Sequence, residues 1–247
     1  MVEPPVRRYL FLSDVHLRSD RPERGRRLAE FVGGLSPKAD HLVIAGDLCD
    51  FWMVARQFRR ADPLCPGLKA LVDFHRAGGE LTLLAGNHDA WFAREFREVL
   101  GVEFTPEPWT RTVHGLRVHL VHGRRTGARP WWKGLLESRF LFNLFRTLPS
   151  FVARWLEFLL DQTNELAHDR SDQKHLLAYR DQAARLSGLA DLAVFGHLHR
   201  ALDDPQVAPR LIVLGGWHHG MSYLVVDEEG ARFQIQRDSG RSADQVK

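Results

Sequence analysis

Residues 9–16 read Tyr9-Leu10-Phe11-Leu12-Ser13-Asp14-Val15-His16. A short unbroken apolar run of this kind predicts a strand buried on both faces. It stops abruptly at Ser13, Asp14 and His16, side chains that exchange protons or hold cations. The same transition recurs four times along the chain. The run His41–Ala45 gives way to Gly46-Asp47-Leu48-Cys49-Asp50, and Leu81–Ala85 to Gly86-Asn87-His88-Asp89. Leu116–Val121 ends in His122-Gly123, and Leu192–Phe195 in Gly196-His197-Leu198-His199. A glycine stands beside four of the five clusters, where it lets the backbone turn sharply and approach a ligand closely.

Between these strands the apolar period changes to that of a helix. Leu28, Phe31, Val32 and Leu35 recur at helical spacing up to Gly33-Gly34, as do Leu68, Leu71, Val72 and His75 before Gly78-Gly79. Phe92, Phe96, Val99 and Leu100 repeat the pattern before Gly101. Alternating strands and helices predict βαβ units and a largely parallel sheet. Thr110–Val113 and Leu116–Val121 around His114-Gly115 predict a hairpin. A long helical stretch to about residue 187, interrupted at Pro149, follows. Strand signals return at Leu211–Leu214, Tyr223–Val226 and Phe233–Ile235, the last two flanking the turn Asp227-Glu228-Glu229-Gly230. The expectation is a single α/β domain over 1–247 with a helical insert over about 124–187.

Composition narrows the class. Of 247 residues, 44% are hydrophobic and 26% charged, which excludes a disordered chain. Cys49 and Cys65 are the only cysteines, so a disulfide scaffold is excluded and a reducing compartment is expected. A net charge of +3 is too small to demand nucleic acid. The first residues carry no apolar signal core, and no stretch approaches 18 uncharged apolar residues, so a cytoplasmic protein is expected.

In open α/β sheets ligands bind beyond the carboxyl ends of strands, where all five clusters fall. Residues at i and i+2, as in Asp14/His16 and His197/His199, can aim both side chains to one side of an extended segment. Carboxylate, amide and imidazole suit Mn²⁺, Fe²⁺ or Zn²⁺. Seven such ligands are too many for one four-coordinate zinc and match two ions sharing a carboxylate, an arrangement that serves phosphoryl hydrolysis. An Asp-x-His or Gly-Asp alone is an ordinary loop; five clusters in this order, each at a strand end, are not.

The series resembles the calcineurin-like metallophosphoesterase superfamily, whose blocks run D-x-H, GDxxD, GNHD, H and GHxH. The resemblance covers roughly residues 9–226. It implies an α/β fold of two packed sheets flanked by helices, with a helical cap insert. It implies one divalent ion on Asp14, His16, Asp47 and His199. A second would sit on Asp47, Asn87, His122 and His197, with Asp47 bridging. His88 would be the catalytic histidine, stabilising developing charge or protonating the leaving oxygen. Asp89 would orient His88, or cap the helix that starts at Ala90.

The insert carries its own signal. Residues 124–160 hold seven arginines and lysines against Glu137 and Glu157, interleaved with tryptophans, phenylalanines and leucines. From Phe151 to Leu160 the apolar positions exceed one core-facing stripe. Excess apolar surface beside arginines suits an anionic lipid or a membrane surface; a layer packed on the sheet is the alternative. The chain also resembles the UDP-2,3-diacylglucosamine pyrophosphohydrolases of lipid A synthesis. The shared features are Gly46-Asp47 followed by Phe51-Trp52, Pro130-Trp131, Leu148-Pro149-Ser150-Phe151-Val152 and Val213-Leu214-Gly215-Gly216-Trp217-His218. This resemblance implies cleavage of a lipid-linked nucleotide pyrophosphate to UMP and diacylglucosamine 1-phosphate. It also implies Mn²⁺ and peripheral attachment to the inner membrane surface through the cap. Asn87, Arg124, Trp131 and Trp155 are the substrate-binding candidates.

The sequence departs from that narrower pattern at His88, where an arginine is usual, and at Arg124, where an aspartate is usual. Arg124 could clamp a phosphate or stand solvated in a loop. His218 matches a Gly-x-Trp-His block and is expected near the site or in a structural role. His41, His75, His114, His119, His168 and His175 are read as ordinary histidines. The rival functions are a phosphoesterase for another phosphodiester or nucleotide, and a scaffold that has kept the fold without the chemistry. Nucleic acid would require a continuous basic stripe.

Overall fold

A computed structural model describes residues 8–17, 21–49, 66–123, 152, 173, 175–218 and 220–237. In chain order the strands are β1 (Arg8–Leu12), β2 (Asp40–Ala45), β3 (Glu80–Leu84), β4 (Phe104–Thr105), β5 (Trp109–Val113) and β6 (Leu116–Val121). They continue with β7 (Leu192–Phe195), β8 (Leu202–Asp204), β9 (Arg210–Val213), β10 (Gly220–Asp227) and β11 (Gly230–Arg237). The helices are α1 (Pro22–Gly33), α2 (Pro66–Arg76), α3 (Ala93–Leu100) and α4 over 175–185.

These strands form two sheets, ordered β11-β10-β1-β2-β3-β4 and β5-β6-β7-β9-β8. The first is parallel from β1 to β4 and antiparallel where β10 joins β1 and β11 joins β10. In the second, β6, β7 and β9 run parallel between the antiparallel edges β5 and β8. One largely parallel sheet, the expectation from periodicity, is therefore corrected to two mixed sheets, as the family resemblance implied. Short β4 and β8 carry no apolar run and had no sequence signal.

Side-chain alternation explains the layering. Phe11, Val43, Ala45 and Leu84 point from the first sheet onto Trp109, Val118, Leu120, Val194 and Ile212 of the second. Their neighbours Leu10, Leu12, Leu42, Ile44 and Leu83 point the other way, onto Leu28 and Val32 of α1, Leu68 and Leu71 of α2 and Phe96 of α3. On the far side, Ala193, Phe195, Leu211 and Val213 meet Tyr179 and Ala183 of α4. The central strands are buried on both faces, which is why they read as continuous apolar runs rather than alternating ones.

The hairpin closes as expected. Val113 pairs with Leu116 across His114 and Gly115, both at positive φ (47° and 82°). Such a two-residue turn matches the natural twist of the strands it joins.

The segment after β9 is anchored by Trp217, which is fully buried. Its indole stacks edge-on against Phe31 at 5.5 Å and donates Nε1–H to the Ser222 carbonyl at 3.1 Å. Its carbonyl accepts from Arg27 Nη1 at 2.8 Å. Trp217→Ala is expected to cost about 3–5 kcal/mol, the range for an emptied aromatic site. Urea unfolding measures it; a loss below about 1 kcal/mol would show that the pocket collapses around the alanine.

Most of the expected insert, with Arg124, Trp131 and Trp155, lies outside the described residues, as do Asp50 and His219. Among the described residues no helix is long and apolar enough to cross a membrane.

Candidate metal centre

The five strand-end clusters come from both sheets and meet at one end of the sandwich. β1, β2 and β3 deliver Asp14, His16, Asp47, Asn87 and His88, while β6 and β7 deliver His122, His197 and His199. The loops are bonded to one another. Asp14 N–H donates to Gly46 O at 3.2 Å, His16 N–H to Asp47 O at 3.0 Å, and Trp217 N–H to Asp14 O at 3.1 Å.

The backbone is left-handed at Asp14 (φ 53°), His16 (φ 50°), Asp47 (φ 51°) and His197 (φ 67°). Non-glycine residues avoid this region, at a cost of about 1–3 kcal/mol each. Four such residues lie on three loops, so Asp14/His16 and His197/His199 do not sit on the extended segments expected for them; tight left-handed turns present these carboxylates and imidazoles instead. Gly86 shows how tightly the loops close: a Cβ there would overlap the Asp47 carboxylate and backbone nitrogen.

One group of donors consists of Asp14, His16 and His199. The two Nε2 atoms face each other at 3.2 Å. Asp14 Oδ1 lies 3.7 Å from His16 Nε2 and 3.8 Å from His199 Nε2. That oxygen is buried and makes no hydrogen bond among the described residues. Its twin, Oδ2, accepts from His197 N–H at 2.8 Å and from the Ser13 hydroxyl.

A second group is Asp47, His122 and His197. His122 Nδ1 donates to the Ala45 carbonyl at 2.7 Å, which turns Nε2 towards Asp47 Oδ2 at 3.3 Å and Asn87 Oδ1 at 3.0 Å. Holding one ring nitrogen on a carbonyl is how a ligating histidine is usually oriented. Asp47 Oδ2 also lies 3.9 Å from His16 Nε2, so this carboxylate stands between the two groups. A third grouping joins His16 and Asp47 to His88, whose ring meets that of His16 at 90° and 4.8 Å.

Charge follows from this packing. Burial pushes Asp47 up, but His122, His88 and His16 outweigh it and hold the carboxyl well below its ordinary value. Burial likewise raises Asp14, and His16, His122 and His199 bring it below. Burial disfavours charge on His122, yet Asp47 and Asp14 lift it to about 10. His197 is pushed down to about 3 by burial and by His122, so its imidazole is neutral. Two buried carboxylates, the neutral His197 imidazole and an orphaned carboxylate oxygen form a donor set that fits divalent cations, and a cation bound at His122 would replace the proton that Asp47 and Asp14 hold there.

The capping expectation for Asp89 is not met. The residue holds the N-cap position of the turn Ala90–Phe92, but its side chain makes no capping bond. Its Oδ2 accepts from Leu48 N–H and its Oδ1 from Gly86 N–H, both at 2.8 Å, which clamps the second and third loops together. Burial, then repulsion from Asp47, raises its carboxyl to about 6.

Two further histidines reach the centre. His218 lies over His199, with ring centroids 4.5 Å apart, and 5.3 Å from His16. His175, read from sequence as ordinary, meets His197 edge-on at 5.7 Å. Neither sits in a strand-end cluster of its own; for His175 the sequence held no signal. His41 fits the ordinary reading, bridging Glu80 and Thr82 at 2.8 Å each. Cys49 is a buried core residue.

Two sheets between helices, with a carboxylate and imidazole cluster fed from both, define a phosphoesterase scaffold. This chain belongs to the calcineurin-like phosphoesterase family, whose family model matches residues 7–201. It is similar to the UDP-2,3-diacylglucosamine hydrolase of Pseudomonas fluorescens, at 30% identity, covering 92% of this chain and 93% of the relative. The same-named protein of Pseudomonas savastanoi pv. phaseolicola is 29% identical, over 90% and 92% of the two chains. That of Haemophilus influenzae is 25% identical, over 92% and 98%.

Proposed function

We propose that this metal-dependent phosphoesterase cleaves the pyrophosphate of UDP-2,3-diacylglucosamine or a close analogue, giving UMP and diacylglucosamine 1-phosphate. The observation that carries the reading is end-to-end similarity: the relatives named for this activity align over about nine-tenths of both chains, at up to 30% identity. The reading is supported by three overlapping donor groups among the described residues, two of which contain Asp47.

In this reading Asp14, His16, Asp47 and His199 hold one divalent ion. Asp47, Asn87, His122 and His197 hold the other. Mn²⁺ is the ion proposed, with Fe²⁺ and Zn²⁺ suited to the same donors. Bound there, the ions acidify water and neutralise phosphoryl oxygens. The chain's own residues then position the reaction. Asn87 binds substrate as well as metal. His88 faces the middle of the cluster and donates a proton or hydrogen bond to the leaving oxygen. Asp89 acts as a positioning residue, since its carboxylate is buried and bonded to backbone on both oxygens.

The chain is taken as one domain with a cap over about 124–187. The cap's basic, apolar segment, with Arg124, Trp131 and Trp155, would receive the acyl chains and rest on the inner membrane surface from the cytoplasmic side. His88 and Arg124 favour a second reading, a different phosphodiester or nucleotide substrate, because both depart from the narrower sequence pattern.

An assay with Mn²⁺ separates the two. It compares UDP-2,3-diacylglucosamine, its deacylated form and bis-p-nitrophenyl phosphate. Burying only a few acyl methylenes, at about 0.8 kcal/mol each, should raise kcat/KM on the diacylated substrate about 10²-fold. Equal values on all three would discard the acyl-chain reading.

A further inference from the structure

We propose that His175 is a substrate-binding residue that donates a ring N–H to a phosphoryl oxygen on the His197 side of the cluster. The inference rests on the phosphoesterase reading and extends it to a residue outside the five strand-end clusters.

The argument begins with Tyr179, one helical turn further along α4. Its ring is fully buried and stacks on Phe195 at 4.3 Å with 13° between planes. Its hydroxyl donates to the Gly196 carbonyl at 3.1 Å. A Cβ on Gly123 would overlap that same hydroxyl, so the ring also closes against the loop after β6. Tyr179 is thus wedged between the loop that carries His122 and the loop that carries His197. It fixes both the rotation and the height of α4 against the metal centre.

Residues at i and i+4 share one face of a helix, and helical side chains lean towards the N-terminus. With Tyr179 wedged at the base, His175 stands above it on the site side. There its half-buried ring meets His197 edge-on, with 5.7 Å between centroids and 85° between planes. His175 does not belong to the Asp47, His122 and His197 donor group. It stands one imidazole further out. None of the donor groups includes it, and on that side it would face the oxygens of an anion held by the His197 group. An imidazole offers such an oxygen an N–H donor.

The test uses the full chain loaded with Mn²⁺ and inorganic phosphate as the probe. Binding is followed by calorimetry, metal content by elemental analysis and folding by thermal melting. His175→Phe keeps the edge-on ring and removes the N–H donor; His175→Asn restores a donor without the ring. His175→Phe should keep its metal and its melting temperature. Its phosphate affinity should fall about 10- to 100-fold, the size of one hydrogen bond to a charged group. His175→Asn should recover part of the loss. Hydrolysis of bis-p-nitrophenyl phosphate should show a raised KM with kcat less affected. Wild-type phosphate affinity in His175→Phe overturns the inference, as does a loss that merely follows loss of metal. If His175→Phe does not fold, His175→Asn and His175→Ala decide by the same measurements, with Ala alone showing the loss. Failure of the wild type on UDP-2,3-diacylglucosamine alongside weakened phosphate binding in the variant would refute only the substrate assignment.

Discussion

Asp47→Ala should leave a folded protein that loads neither cation and hydrolyses its substrate at least about 10³-fold more slowly. The Asp47 carboxylate stands between the Asp14, His16 and His199 group and its own group with His122 and His197, 3.9 Å from His16 Nε2 and 3.3 Å from His122 Nε2. In the proposed two-ion site its removal would deprive both ions of a ligand at once, whereas loss of a terminal ligand would affect one. The expected effect therefore exceeds the roughly 10²–10³-fold seen when a single stabilising donor is deleted from an active site. Folding should survive because the three apolar clusters that build the layers do not include Asp47. Its other oxygen accepts the His88 N–H at 2.8 Å, so the third loop will loosen locally. Metal content by elemental analysis, circular dichroism and turnover on one sample provide the check. An active variant holding two ions would remove Asp47 from its bridging role and with it the two-ion site.

His88→Ala is the second large effect, and its signature is different. The variant should keep both ions and lose about 10²–10³-fold in kcat, as for a deleted general acid or charge-stabilising group. The backbone N–H of residue 88 holds Asp47 Oδ1, and that bond survives truncation of the side chain. The imidazole is what disappears, from a position 4.8 Å from the His16 ring. The same proximity allows a ligand role, because a His88 ring nitrogen groups with His16 and Asp47. The metal count decides. Two ions with slow turnover support the catalytic role, one ion makes His88 a ligand, and two ions with unchanged kcat leave it idle.

The chemistry of this protein is concentrated in short segments, and that made it readable. Asp14/His16, Gly46-Asp47, Gly86 to Asp89, His122-Gly123 and Gly196 to His199 are each local, and each follows a run of apolar residues that announces a strand. The strands were legible because burial on both faces removes polar alternation. The same property hid the sheets. When Leu10 and Phe11 are equally apolar, nothing along the chain says that Leu10 faces helices and Phe11 faces the second sheet. Strands of two or three residues, such as Phe104–Thr105 and Leu202–Asp204, hold too little pattern to register.

By itself, then, the order of residues determined the types of the described elements, the strand-end clusters and the chemical nature of the candidate cation ligands, because these depend on composition over a few neighbouring positions. Only the tertiary structure decided that the strands divide into two sheets. It also decided that Asp89 clamps Leu48 to Gly86 and that His175 reaches His197. Those outcomes join segments that are distant along the chain, and they are settled by which apolar faces can be buried together.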